Sequence, residues 1–246
     1  MHILGLGLHV IIAVIFAIHA LRTGREMYWL FILFMFPLLG SIVYAAVVFV
    51  PEMRNNRGAR RAMRKVRQTL DPGRELREAR EAFDLSPTVQ NRLRLADALL
   101  ADDKPADAAP LYAACLAGLY RDDADISIRH ARALLESGQA EAAKAALEVL
   151  IAQQPELRSP EGHLLYARAV AACGERERAR HEFDTLIGYS ASLEARAHYA
   201  NALAEWGDAA AAQHLARDAL RHVDHLSRHA AELNAPWIKS LRRHVA

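Results

Sequence analysis

The sequence predicts an all-α protein: a two-span transmembrane helical hairpin, then an α-solenoid of about four helix–turn–helix repeats with a C-terminal capping helix. Three observations carry this. Residues 1–50 hold only Arg22, Arg25 and Glu26 as charges. Residues 51–246 hold every other charge and are rich in Ala, Leu, Arg and Glu. Within that second part, small and apolar residues recur at steps of 33 to 36 positions. The bulk figures of 24% charged and 52% hydrophobic residues therefore average two unlike regions. They exclude a disordered chain, a collagen-like chain and a secreted disulfide scaffold. Cys115 and Cys173 are too few for a four-thiolate zinc site and fall in helical patterns, as small core residues do in a reducing compartment.

The first element is the apolar run Ile3–Leu21, and the second is Tyr28–Val50. At 1.5 Å per residue they reach roughly 28 and 34 Å, enough for a hydrocarbon core of about 30 Å. The connector between them is so short that the spans must run antiparallel. No Lys or Arg precedes Ile3, and Leu21 leads straight into Arg22-Thr23-Gly24-Arg25, which is not the form of a cleaved signal peptide. His9 and His19 lie inside the first run without an acidic partner in either span, so they read as neutral side chains and not as a proton path.

Residues 51–71 form a basic juxtamembrane linker. It carries Arg54, Arg57, Arg60, Arg61, Arg64, Lys65 and Arg67, with Glu52 the only nearby acid. The positive-inside bias places residues 51–246 and the N-terminus in the cytoplasm, and the membrane expected is the inner membrane of a bacterium. The same basic residues are candidates for contact with anionic lipid headgroups, at about 1 kcal/mol each near the surface.

The second run reads Trp29-Leu30, then Phe36-Pro37-Leu38-Leu39-Gly40, then Tyr44. Trp anchors at an interface, and Pro followed by Gly kinks a spanning helix. Over about residues 5–50 this pattern resembles the two-span N-terminal segment of bacterial cardiolipin synthases, the phospholipase D nuclease N-terminal family. The resemblance implies a membrane anchor. Catalysis in that family belongs to a downstream His-x-Lys-x4-Asp motif, and no His in this chain is followed two residues later by Lys. Lipid synthesis is therefore not carried over.

Residues 72–246 form the repeat domain with its terminal caps. Leu95-Ala96 is followed by Leu99, Ala108, Tyr112 and Cys115, and His130-Ala131 by Leu134, Gly138, Ala143 and Leu147. Tyr166-Ala167 is followed by Val170, Gly174, Ala179 and Phe183, and Tyr199-Ala200 by Leu203, Gly207, Ala212 and Ala216. The alanines Ala96, Ala131, Ala167 and Ala200 are 35, 36 and 33 residues apart. Small residues let paired helices approach, and Gly permits the tight turn between them. This pattern resembles the tetratricopeptide repeat over about residues 89–226. Two departures stand out: Asp103 where the other copies have Gly, and Ala216 where an aromatic is usual. Pro72–Asp84 reads as an N-terminal half-repeat or cap, Leu215–Leu233 as an extended last helix, and Pro236–Val245 as the capping helix.

No phosphate-cradling loop, zinc-protease helix, nucleophile elbow or EF-hand loop is present. His222, His225 and His229, at steps of three and four, would share one helical face and offer imidazoles to a metal. The competing reading is a solvated helix face, and no cofactor or metal is expected. Residues 86–246 hold slightly more acid than base, which argues against nucleic acid.

The resemblance implies a concave groove lined by first helices. Asp97, Arg132, Arg168 and Asn201 follow the repeat alanines, with Leu93, Ile128, Leu164 and Ala197 one turn earlier. Such a row over an apolar floor suits a protein or peptide partner, the arginines meeting a carboxylate. Intramolecular pairing of these arginines with Glu136 or Glu161 is the alternative. The function expected is a non-enzymatic, membrane-anchored scaffold that binds a protein partner. A non-catalytic accessory subunit of an envelope-lipid enzyme is the second reading, and a metal-dependent enzyme or sensor using the His cluster the third.

Overall fold

The computed structural model describes residues 3–22, 28–49, 71, 73–221 and 223–245, without the side chains of residues 3–12, 37 and 49. All its elements are helical. They fall into two compact units, Met1–Arg74 and Glu75–Ala246. The basic linker residues Arg54, Arg57, Arg60, Arg61, Arg64, Lys65 and Arg67 lie outside the described residues.

In the first unit, α1 (Ile3–Arg22) packs against α2 (Tyr28–Met35) and α3 (Pro37–Tyr44). Ala13, Ala17 and Ala20 are buried, and their small side chains let the helices approach closely. The core they face contains Trp29, Leu33, Tyr44 and Val48. His19 is not solitary: its Nδ1 lies 3.0 Å from the Tyr44 hydroxyl. The second apolar run is not one continuous helix. Phe36 leaves helical geometry at φ −134°, ψ 74°, because the ring of Pro37 disfavours the α region for the residue before it. Gly40 sits against the Ile32 carbonyl, where a Cβ would approach its oxygen to 2.6 Å, so only glycine fits the kink. Beyond α3, Ala45–Phe49 widens into a π-helical turn. Among the described residues no helix is long and apolar enough to cross a membrane.

The second unit begins with α4 (Arg74–Leu85), starting two residues later than Pro72 suggests. Four helix pairs follow: α5 (Val89–Ala101) with α6 (Pro105–Cys115), and α7 (Ala124–Glu136) with α8 (Ala140–Gln153). Then come α9 (Pro160–Ala172) with α10 (Arg176–Tyr189), and α11 (Leu193–Glu205) with α12 (Ala209–Arg221). Each second helix packs on the next first helix, and α9 also touches both α7 and α11 directly. First helices thus line the tighter, concave side of the array. The repeat alanines Ala96, Ala131, Ala167 and Ala200 are fully buried, as are their second-helix counterparts Ala108, Ala143 and Ala179, with Ala212 nearly so. Phe183 stacks on Tyr199 at 4.9 Å between the third and fourth pairs.

The turns inside the pairs share one geometry. Gly138, Gly174 and Gly207 have φ of 80°, 82° and 89°, and Asp103 takes the same left-handed conformation at 57°. In each turn the next amide reaches back to a first-helix carbonyl: Lys104 to Leu99, Gln139 to Leu134, Glu175 to Val170 and Asp208 to Leu203. This is the Schellman closure of a helix C-terminus. First-helix starts are equally uniform. Thr88, Asp123, Ser159 and Ser192 each accept a hydrogen bond from the amide three residues on. Ion pairs then tie second helices to the next turn: Lys144–Glu175 at 2.5 Å and Arg180–Asp208 at 3.2 Å.

The C-terminal part departs from one extended helix. After α12 the chain makes a 3-10 turn at Val223–His225, then α13 (Arg228–Leu233), capped by Ser227, and α14 (Ala235–Arg242). Helix α14 packs on α11 and α12, where a fifth first helix would sit, and buries Ile238 and Leu241.

Candidate partner-binding site

The row of residues after the repeat alanines is largely committed within the chain. The Asp97 carboxylate accepts a hydrogen bond from the Tyr112 hydroxyl at 2.6 Å and pairs with Arg129 at 2.9 Å. Arg132 pairs with Glu161 at 2.8 Å. The Asn201 carbonyl oxygen lies 2.8 Å from His244 Nε2 and accepts a hydrogen bond from the Ser240 hydroxyl at 3.3 Å. In all three cases a partner comes from the next first helix or from the capping segment that replaces it. The row therefore acts as a seam between successive repeats.

Arg168 differs. It is half-buried on α9, and among the described residues it has neither a hydrogen-bond nor an ion-pair partner. Burial pushes its pKa down; the nearby carboxylates Glu136 and Glu194 oppose that shift and the Arg132 charge reinforces it. Its charge also adds to burial in pushing His198 down from 6.5 to about 4, so His198 is neutral at pH 7 against the Trp237 ring. A guanidinium in this setting has five donors and no hydrogen-bonded acceptor, which suits it to receive a carboxylate from outside.

The expected apolar floor is core. Ile128 is 8% and Leu164 6% exposed, Ala197 is fully buried, and Leu93 packs half-buried beside Leu95 and Leu99. First helices must bury surface against each other as well as against their own second helices, so these side chains brace the row, and Ile128 also lines a cavity on the other side.

The His face also takes another form. His222 lies outside the described residues, His225 ends the 3-10 turn and His229 stands in α13, so a single helix does not carry them. Ser227 starts a new helix between them and interrupts the steps of three and four. Both described imidazoles are exposed, and among the described residues no group of three or more His, Cys, Asp or Glu side chains is placed to hold a metal.

A feature absent from the sequence reading is a cavity of about 480 Å³ at the junction of α8, α9 and α10. Its wall includes Leu147, Leu150 and Tyr166, with His163 and Glu182 at one side. His163 Nε2 lies 3.0 Å from Glu182 and its Nδ1 2.9 Å from the Tyr189 hydroxyl, whose ring stacks on the imidazole. The Glu182 carboxylate can only accept, so Nε2 carries the hydrogen, and in neutral His163 the Nδ1 accepts from Tyr189. The signal in the sequence was the connection at 154–159, longer than the one at 190–192.

No curated protein matches the chain. A tetratricopeptide repeat family profile matches residues 99–163. The crystal structure of a thermophilic tetratricopeptide repeat protein from Thermus thermophilus aligns at a TM-score of 0.53 and 18% identity, covering 71% of this chain and 94% of that one. Left-handed turns, paired buried alanines and these two likenesses agree on a tetratricopeptide-like fold for the array.

Proposed function

We propose that the protein is a membrane-tethered scaffold whose concave face holds a partner protein through a carboxylate at Arg168. The observation that carries the partner chemistry is the position of that guanidinium. It is the one member of the row without a hydrogen bond or ion pair among the described residues. Arg132 adds a second donor group. Its pair with Glu161 is partly exposed and contributes at most about 1 kcal/mol, so a competing carboxylate can displace it.

The tether reading rests on the exterior of the first unit. Ile15, Leu21, Phe31, Phe34, Leu39 and Ile42 are each more than half exposed there. An apolar face of this extent calls for lipid or protein cover. Sequence supports lipid: neither apolar run holds a Lys, Arg, Asp or Glu, and a basic segment follows the second. On this reading the array is cytoplasmic and the chain performs no reaction of its own.

The test is capture from solubilised membranes. Arg168→Ala should leave the melting curve nearly unchanged, within about 0.5 kcal/mol. It should weaken capture about tenfold or more, since a charge-assisted hydrogen bond contributes about 1.5–3 kcal/mol. Equal capture by the folded variant would remove Arg168 from the binding site.

A further inference from the structure

We infer that the cavity between α8, α9 and α10 is a second docking site, taking a large apolar side chain of a partner peptide with a carboxylate beside it. The site is distinct from the concave row. Along α9, Arg168 lies roughly 140° and 200° around the helix from His163 and Tyr166, which face the cavity.

The space has a local cause in the chain. Six residues, 154–159, connect α8 to α9, whereas three, 190–192, connect α10 to α11. At Gly162, where the neighbouring repeats have Ile126 and Ala195, Ile128 lies 3.2 Å from the place a Cβ would take, so the backbone there packs closely against the cavity wall. The resulting volume of about 480 Å³ falls among ligand-binding cavities, which run roughly 300–1,000 Å³.

Its lining favours a peptide anchor. Ile151, Leu157 and Tyr189 are 49%, 40% and 53% exposed, so large apolar groups already stand in water around an apolar interior. A side chain entering there removes both surfaces from solvent. Charge selects the neighbour of that side chain. The acid and base of the lining are Glu182, whose carboxylate accepts a hydrogen bond from His163, and Arg158. Arg158 is exposed and has no hydrogen-bond or ion-pair partner among the described residues, which leaves the uncommitted charge positive. An occupant with an adjacent carboxylate matches it.

The experiment pans the full chain in detergent against a phage-displayed random heptapeptide library. The expected consensus is a large apolar residue next to Asp or Glu. Arg158→Glu, an exposed change that leaves the fold intact by circular dichroism, should shift selection towards Lys or Arg. A synthetic peptide of the first consensus should bind about tenfold or more weakly to Arg158→Glu and to Thr185→Trp, which fills the mouth, and normally to Arg168→Ala. Absence of a consensus, or one insensitive to Arg158→Glu, overturns the site. Peptides that depend on Arg168 alone overturn it while supporting the concave site. Binding of dodecanoate with no peptide selected assigns the cavity to a free amphiphile and overturns the peptide reading.

Discussion

Asp103 carries the left-handed turn of the first repeat without the freedom that glycine gives the other three. A Cβ at Gly138, Gly174 or Gly207 would meet nothing within 4 Å, so replacing any of them by Ala costs only backbone conformation. Each change is expected to lose about 1 kcal/mol, and Asp103→Gly to gain about 0.5 kcal/mol, in chemical denaturation. Neutral Gly→Ala variants would show that turn geometry is not what holds the pairs. His198 sets a pH dependence. Unfolded, it binds a proton near pH 6.5; folded, burial and the Arg168 charge keep it neutral down to about 4. Between those values the unfolded chain holds more protons, so stability falls as pH falls. From pH 7 to pH 5 the loss at this residue should be about 2 kcal/mol, absent in His198→Gln. A variant that loses as much as the parent would refute the assignment.

Single helices show why some features were legible before any coordinates and others were not. The repeat alanines announce themselves because close helix packing admits no larger residue there, and the structure buries all four. Ala131→Leu should accordingly cost about 1–3 kcal/mol by overpacking α7 against its neighbours. The caps Thr88, Asp123, Ser159 and Ser192 advance by the same 35, 36 and 33 residues as the alanines, a second register visible in the sequence. Ser159→Ala should cost about 1 kcal/mol of the array's stability, and a neutral result would mean that α9 is started by packing alone. The fate of the groove residues was legible only in part: the Arg132–Glu161 pair was one of the two readings the sequence left open. Which of Asp97, Arg132, Arg168 and Asn201 stays uncommitted depends on residues from later helices, Arg129, Glu161 and His244, whose approach is set by the superhelix. The break of the C-terminal helix was hidden differently: Ser227 is polar in a polar stretch, and its role as a cap emerges only with the chain's turn.

At the scale of the whole chain, the proposed function divides anchoring by the apolar-faced unit from recognition by the repeat array. With seven basic residues between positions 54 and 67, a reporter active only after export should stay silent when fused after Ala246. An active fusion would reverse the orientation and change the class of partner. Several charges of the array are paired from one repeat to the next, among them Asp97 with Arg129 and Arg132 with Glu161 in the row itself. Among the described residues Arg168 is the member of that row that this pairing leaves over. The most direct measurement places a photoreactive residue at Ala172, exposed one turn beyond Arg168 on α9, and crosslinks in intact membranes. The account predicts a discrete protein adduct in the membrane fraction that disappears with Arg168→Ala. No protein adduct, or one that persists unchanged in that variant, would contradict it.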